Sequence, residues 1–136
     1  MKRVTGLIAT VAVLGGVLVA YSVAGKGPAT YTVTADIDQA PNLFKGGRVM
    51  VRGIEVGHIT GVEPRPEGVR LTMEIQEGTK IPADADLAVI PVTVISDRYV
   101  QFFPAYSGGA TLAAGDHIPL GRTSIPAELD DVLTQL

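Results

Sequence analysis

Hydrophobic and polar positions divide the chain into three stretches with different periods. Residues 4–24 carry no charge and no polar rhythm, and Lys2, Arg3 and Lys26 flank them. At 1.5 Å of helix rise per residue this run reaches about 31 Å, the thickness of a bilayer's hydrocarbon core. The basic residues ahead of it place the N-terminus in the cytoplasm, and Tyr21 falls where an interfacial aromatic belongs. The expected localisation is therefore the plasma (inner) membrane, crossed once, with the rest of the chain extracytoplasmic, or periplasmic. A cleaved signal peptide is the alternative, since Ser22 and Ala24 offer small residues at a cleavage site. Signal cores usually span about 7–15 residues, so the longer run favours an anchor, and both readings export the remainder. Ala12, Gly16 and Ala20 recur every four residues, a spacing that lets helices approach but that chance also supplies in so small-residue-rich a run.

After a linker at residues 25–29 the period becomes two. Tyr31, Val33, Ala35 and Ile37 alternate with Thr30, Thr32, Thr34 and Asp36; Val69, Leu71, Met73 and Ile75 alternate with Arg70, Thr72, Glu74 and Gln76. Each predicts a strand with one buried and one wet face. Residues 48–52 and 54–62 are rich in β-branched side chains and punctuated by Gly47, Gly53, Gly57 and Gly61. Residues 64–68 predict a turn, and residues 87–95, 98–103 and 117–120 predict further strands, six or seven in all. The fold class expected is all-β, a small barrel or sandwich punctuated by 16 Gly and 9 Pro.

The last stretch returns to a helical period. Leu129, Val132, Leu133 and Leu136 fall at i, i+3, i+4 and i+7, behind Ser124 as a cap, Pro126 at the start and Glu128, Asp130 and Asp131 in the first turn. Two turns are too few to stand alone. The helix either packs back on the barrel or associates with helices of other subunits, the second being preferred. The resulting map is a cytoplasmic N-terminus at 1–3, a transmembrane helix at 4–24, the linker at 25–29, the β-domain at 30–122 and the start of a helical region at 123–136.

Composition narrows the function classes. Eleven basic residues against 14 acidic ones, with three of the basic ones beside the first apolar run, leave no stripe to neutralise phosphates, so no nucleic-acid partner is expected. The absence of cysteine removes disulfides, thiolate nucleophiles and cysteine-ligated metals. His58 and His117 lie on strand-like segments outside any nucleophile or metal motif, and Asp36 with Asp38 and Asp84 with Asp86 lack the glycine and distal glutamate of a calcium loop and suit solvated turns. No catalytic residue, metal or cofactor is expected, and the protein is not expected to be an enzyme.

One apolar run resists a simple reading. Residues 87–95 read LAVIPVTVI, with Thr93 alone polar. A buried strand explains most of it, but Pro91 cannot donate a ladder hydrogen bond, so the strand breaks there. Residues 92–95 then project as an apolar loop, which is unfavourable in water unless it meets other subunits or an apolar ligand.

Three motifs, in order, carry a resemblance. Val51-Arg52-Gly53-Ile54-Glu55-Val56-Gly57-His58-Ile59 comes after Thr34-Ala35-Asp36 and the loop at 43–49; Asp97-Arg98-Tyr99-Val100-Gln101-Phe102 comes after the apolar run; Gly115-Asp116-His117-Ile118-Pro119 leads to Pro126 and the terminal stripe. Over residues 31–120 the chain resembles the Mce (mammalian cell entry), or MlaD-like, domain of bacterial lipid transport systems, and its passage into the terminal stripe is similar to actinobacterial Mce members. The resemblance implies a seven-stranded Mce-type barrel behind an N-terminal transmembrane helix, assembled six to a ring around an apolar pore made by one loop of each subunit. By position that loop is Thr93, Val94 and Ile95, with Ile95-Ser96 standing where many members have Leu-Gly or Phe-Gly. The implied function is an extracytoplasmic lipid-binding subunit of an Mce-type, ABC-importer-like transporter. Implied partners are other Mce subunits in a homo- or hetero-hexamer, a membrane permease and an ATPase, and a lipid that is a sterol, fatty acid or phospholipid. Leu129, Val132, Leu133 and Leu136 would line a helical tube continuing the pore. The competing reading is an exported structural or adhesive β-domain without transport activity, whose apolar run is only core.

Overall fold

A computed structural model describes residues 27–92 and 97–125, together with Ala12, Val13, Gly15 and Gly16, which are helical. The remainder of the expected transmembrane segment at 4–24, the loop residues Thr93, Val94 and Ile95, and the terminal stripe of Leu129, Val132, Leu133 and Leu136 lie outside the described residues.

Residues 30–124 form one eight-stranded sheet: β1 (Thr30–Ile37), β2 (Arg48–Val51), β3 (Ile54–Arg65), β4 (Gly68–Gln76), β5 (Asp86–Pro91), β6 (Arg98–Phe103), β7 (His117–Ile118) and β8 (Thr123–Ser124). Their spatial order is β7-β1-β4-β3-β2-β6-β5-β8. The edge strands β7 and β8 are separated along the chain only by Pro119 and a single 3-10 turn, Leu120–Arg122. So short a connection between opposite edges requires the sheet to curl until they nearly meet, because four residues cannot cross a flat eight-stranded sheet. Thr123 Oγ1 lies 2.9 Å from the carbonyl oxygen of Asp36 on β1 and 2.9 Å from that of Leu120, tying the β8 edge to β1, the strand next to β7. Of the two all-β architectures expected from the alternation, barrel or sandwich, the barrel is the fold.

Register derives from the alternation. Val33 faces Met73, Ala35 faces Leu71 and Ile37 faces Val69 across β1 and β4, so the apolar phase of each strand points inward together. Val33, Ile37, Ile59, Leu71, Met73, Ile75, Leu87, Val89 and Phe102 are fully or almost fully buried. Each such side chain contributes about 1.5–3 kcal/mol relative to exposure, which is how a domain with few aromatics forms a core. β2 and β3 are joined by Arg52 (φ 52°) and Gly53 (φ 77°), the paired left-handed conformations of a two-residue hairpin turn. Gly57 lies where β3 crosses β4 so closely that a Cβ there would be driven into the Glu74 carbonyl.

Several boundaries differ from expectation. The turn expected at 64–68 is only Pro66-Glu67, because Pro64 and Arg65 still pair with Val69 and Gly68. β2 pairs with β3 only from Ile54 to His58, so Pro64 stands where β3 has one neighbour and a missing donor is tolerated. The strand expected at 117–120 stops at Ile118, where Pro119 and the 3-10 turn redirect the chain. Thr123 and Ser124, assigned to the start of the helical region with Ser124 as its cap, instead form β8, in parallel with Leu87 and Ala88 of β5. The barrel thus has eight strands rather than seven, the eighth being a two-residue closure.

Candidate functional site

The apolar run at 87–95 divides at the proline. β5 pairs with β6 from Asp86 opposite Phe103 to Pro91 opposite Arg98, burying Leu87 and Val89. Beyond Pro91 the Val92 N–H donates to the Asp97 carbonyl at 3.1 Å, and Val92 is 46% exposed. Those two residues close the hairpin, and residues 93–96 connect its arms. The stem residue Arg98, opposite the proline, turns its N–H to the Asn42 carbonyl at 3.5 Å, so the root of the hairpin is braced by the loop that precedes β2.

That bracing loop is itself pinned. Leu43 is buried, Gly46 N–H donates to the Ile59 carbonyl at 2.7 Å, Ile59 N–H donates to the Gly47 carbonyl at 2.8 Å, and Gly47 N–H donates to the Phe44 carbonyl at 2.9 Å. With Leu43 anchored inward, Phe44 is turned outward and left 61% exposed. Between loop and hairpin root lies a cleft of about 240 Å³ lined by Asn42, Phe44, Lys45, Gly46, Gly47, Arg48, Asp97 and Arg98. The Arg48 guanidinium carbon stands 5.8 Å from the centre of the Tyr99 ring, a cation–π contact that orients its charge. Lys45 and Arg48 form no ion pair with a described residue. Sequence reasoning did not assemble this cleft: its two walls are about fifty residues apart, and only the parallel pairing of β2 with β6 brings them together.

A second polar cluster lies on the outer face around Asp36. Register places Arg70 opposite Asp36, and its Nε and Nη2 donate to Oδ1 and Oδ2 at 2.7 and 2.9 Å. His117 Nε2 approaches Oδ2 at 3.1 Å, and its Nδ1 lies 2.9 Å from Thr34 Oγ1. The Arg70 hydrogen bonds, helped by the charge of His117, hold the Asp36 carboxyl below its usual range although partial burial pushes the other way. Asp36 is therefore a cross-strand ion-pair residue rather than the solvated turn residue expected. His58 is a half-exposed strand residue 3.7 Å from Glu74 across the β3–β4 ladder. Among the described residues no charged or polar side chain is fully buried, and no three His, Cys, Asp or Glu converge as metal ligands. The Asp36 cluster has the geometry of a strap: Arg70 and His117 hold the carboxylate, and the Thr34 hydroxyl is bonded to the other ring nitrogen of His117.

Comparison with known proteins bears on the whole barrel. A family model described as MlaD protein matches residues 29–105, more than half of the chain. Among solved structures, the chain is similar to a chain of the Acinetobacter MlaFEDB complex in its ATP-bound Vtrans1 conformation, with a TM-score of 0.69, 15% sequence identity and coverage of 98% of both chains. At that identity the likeness establishes the fold. No curated protein matches.

Proposed function

The chain belongs to the MlaD protein family, and from that premise we propose that it is the membrane-anchored, extracytoplasmic lipid-binding subunit of an Mce-type lipid transport complex. In this reading six barrels form a ring, and Thr93, Val94 and Ile95 of each line an apolar pore. The observation that carries it is the Pro91 break: a strand that is buried at Leu87 and Val89 ends at the proline, and the closing Val92–Asp97 bond leaves four residues, three of them Thr93, Val94 and Ile95, between the arms of a braced hairpin. An apolar sequence at such a tip calls for an apolar partner.

The part played by the barrel is guidance rather than bond chemistry. A lipid tail leaving a bilayer loses about 0.8 kcal/mol for each methylene exposed to water, and a ring of Val94 and Ile95 side chains removes that penalty along the path. Energy enters from outside the barrel. The similar solved chain is part of a complex captured in an ATP-bound conformation, which supports a permease and an ATPase as partners here, beside the other Mce subunits of a homo- or hetero-hexamer. The anchor at 4–24 holds the barrel at the plasma membrane, and Leu129, Val132, Leu133 and Leu136 extend the lining as a helical tube.

The test is the double variant Val94→Asp with Ile95→Asp in the full, detergent-solubilised chain. A pore-lining role predicts an unchanged circular dichroism melt, retained ring assembly in mild detergent and loss of co-purifying lipid. A variant that fails to fold would instead place both side chains in a core. A wild-type chain that is monomeric and lipid-free would leave an exported β-domain of structural or adhesive type.

A further inference from the structure

We infer that the cleft at the root of the β5–β6 hairpin is a headgroup site for an anionic amphiphile, one whose oxyanion is held by Lys45 and Arg48 while its tail lies over Phe44 and Val92. The inference rests on the reading of Thr93, Val94 and Ile95 as a lipid path, and it adds which end of the lipid the barrel recognises and with which residues.

Charge, shape and setting agree. Lys45 and Arg48 against Asp97 leave the cleft net positive even before Arg98 is counted. Neither Lys45 nor Arg48 is spent on a carboxylate among the described residues, and Arg48 is held in place by the Tyr99 ring rather than by an anion. The Asp36 cluster is the contrast: there the arginine is saturated by a bidentate carboxylate, leaving no comparable capacity. At about 240 Å³ the cleft is smaller than the ~300–1,000 Å³ pockets that enclose whole drug-sized ligands. It therefore suits a compact head and not a fused ring system. Phe44 and Val92, 61% and 46% exposed, are two of the few large apolar side chains exposed among the described residues; Phe44 lines the cleft, and Val92 is bonded through its N–H to Asp97, which also lines it. A cationic cleft bordered by exposed apolar side chains matches the two ends of an amphiphile: guanidinium and ammonium donors for a phosphate or carboxylate, apolar surface for an acyl chain. A sterol, with a single neutral hydroxyl, gains nothing from the two cations.

The experiment measures binding of phosphatidylglycerol, oleate, cholesterol and inorganic phosphate to the full chain in one detergent, for wild type, Lys45→Ala with Arg48→Ala, and, as a control, Arg65→Ala, a cation outside the cleft that is paired with Glu63 at 3.2 Å. Wild type is expected to prefer phosphatidylglycerol to cholesterol. The double alanine variant is expected to lose about tenfold for phosphatidylglycerol, the loss of one to two charge-assisted contacts, with cholesterol unchanged. Arg65→Ala is expected to change neither. Because Lys45 and Arg48 are both exposed, the variant keeps its fold, checked by its melt. Oleate bound like phosphatidylglycerol assigns the site to any oxyanion head, and oleate bound weakly assigns it to phosphate; both outcomes support the site. Phosphatidylglycerol held equally by wild type and double variant, cholesterol held as tightly as phosphatidylglycerol, or inorganic phosphate binding as tightly as the phospholipid would each overturn it. If lipid binds without regard to head charge and is still lost in the Val94→Asp, Ile95→Asp variant, the headgroup site fails while the transport reading stands. If no lipid binds at all, both fail.

Discussion

Asp36 occupies the wet phase of β1, yet it is two-thirds covered and bonded to two other strands. Its carboxyl is held below the ordinary range mainly by hydrogen bonds from Arg70, so the folded state binds a proton there less readily than the unfolded chain does. A depressed folded value contributes stability that is complete above the unfolded carboxylate pKa of about 3.9 and is lost as pH falls through the lower folded value. Asp36→Asn is therefore expected to lower stability by about 1 kcal/mol at neutral pH, a partly exposed pair being partly screened. In thermal melts the difference from wild type should shrink below about pH 4 and vanish in stronger acid, where the native carboxyl is also neutral. A difference that persists unchanged into acid would place the effect in packing rather than charge. The inward residues Val33, Ala35, Ile37, Leu71, Met73 and Ile75 were all legible from period two. The Asp36–Arg70 pair was not, because it depends on β1 lying beside β4 instead of β2, a non-local register that alternation does not encode.

At the scale of elements, the spacing of glycines and prolines carries more information than the strand propensities. Gly57 and Gly61 look alike in sequence, but only the first is in steric contact with backbone: a Cβ on Gly57 meets the Glu74 carbonyl, whereas on Gly61 it meets the Thr72 side chain at 3.3 Å. Gly57→Ala is expected to destabilise the barrel by about 2–4 kcal/mol through a forced separation of β3 and β4, and Gly61→Ala by less than about 1 kcal/mol because Thr72 can rotate away. Equal melting temperatures for the two variants would contradict this. The Pro91 break could be read directly, since a missing donor has one local consequence. The 3-10 turn and β8 could not: two residues are too short for a period, and Thr123-Ser124 pairs with β5 only because the sheet has already curled. The cleft at the hairpin root was hidden for the same reason, as it needs β2 and β6 side by side.

For the molecule as a whole, one closed core means that the barrel should melt as a unit. Phe102 lies 1% exposed on β6, opposite Leu87 of β5 and Val51 of β2, and so joins the two halves of the sheet. Phe102→Ala is expected to cost about 3–5 kcal/mol, read as a lower melting temperature of the full chain with a single transition retained. Two separate transitions would mean that the halves fold independently. Closure also determines how β8 is held to the barrel. The residues of its last strand, Thr123 and Ser124, are stitched to Leu87 and Ala88, on the strand whose other end is Pro91. Any tension that reaches β8 is thus received by β5 along the ladder and by β1 through the Thr123 hydroxyl before it reaches the rest of the sheet, and the two-residue ladder acts as the mechanical fuse ahead of the hairpin at the far end of β5.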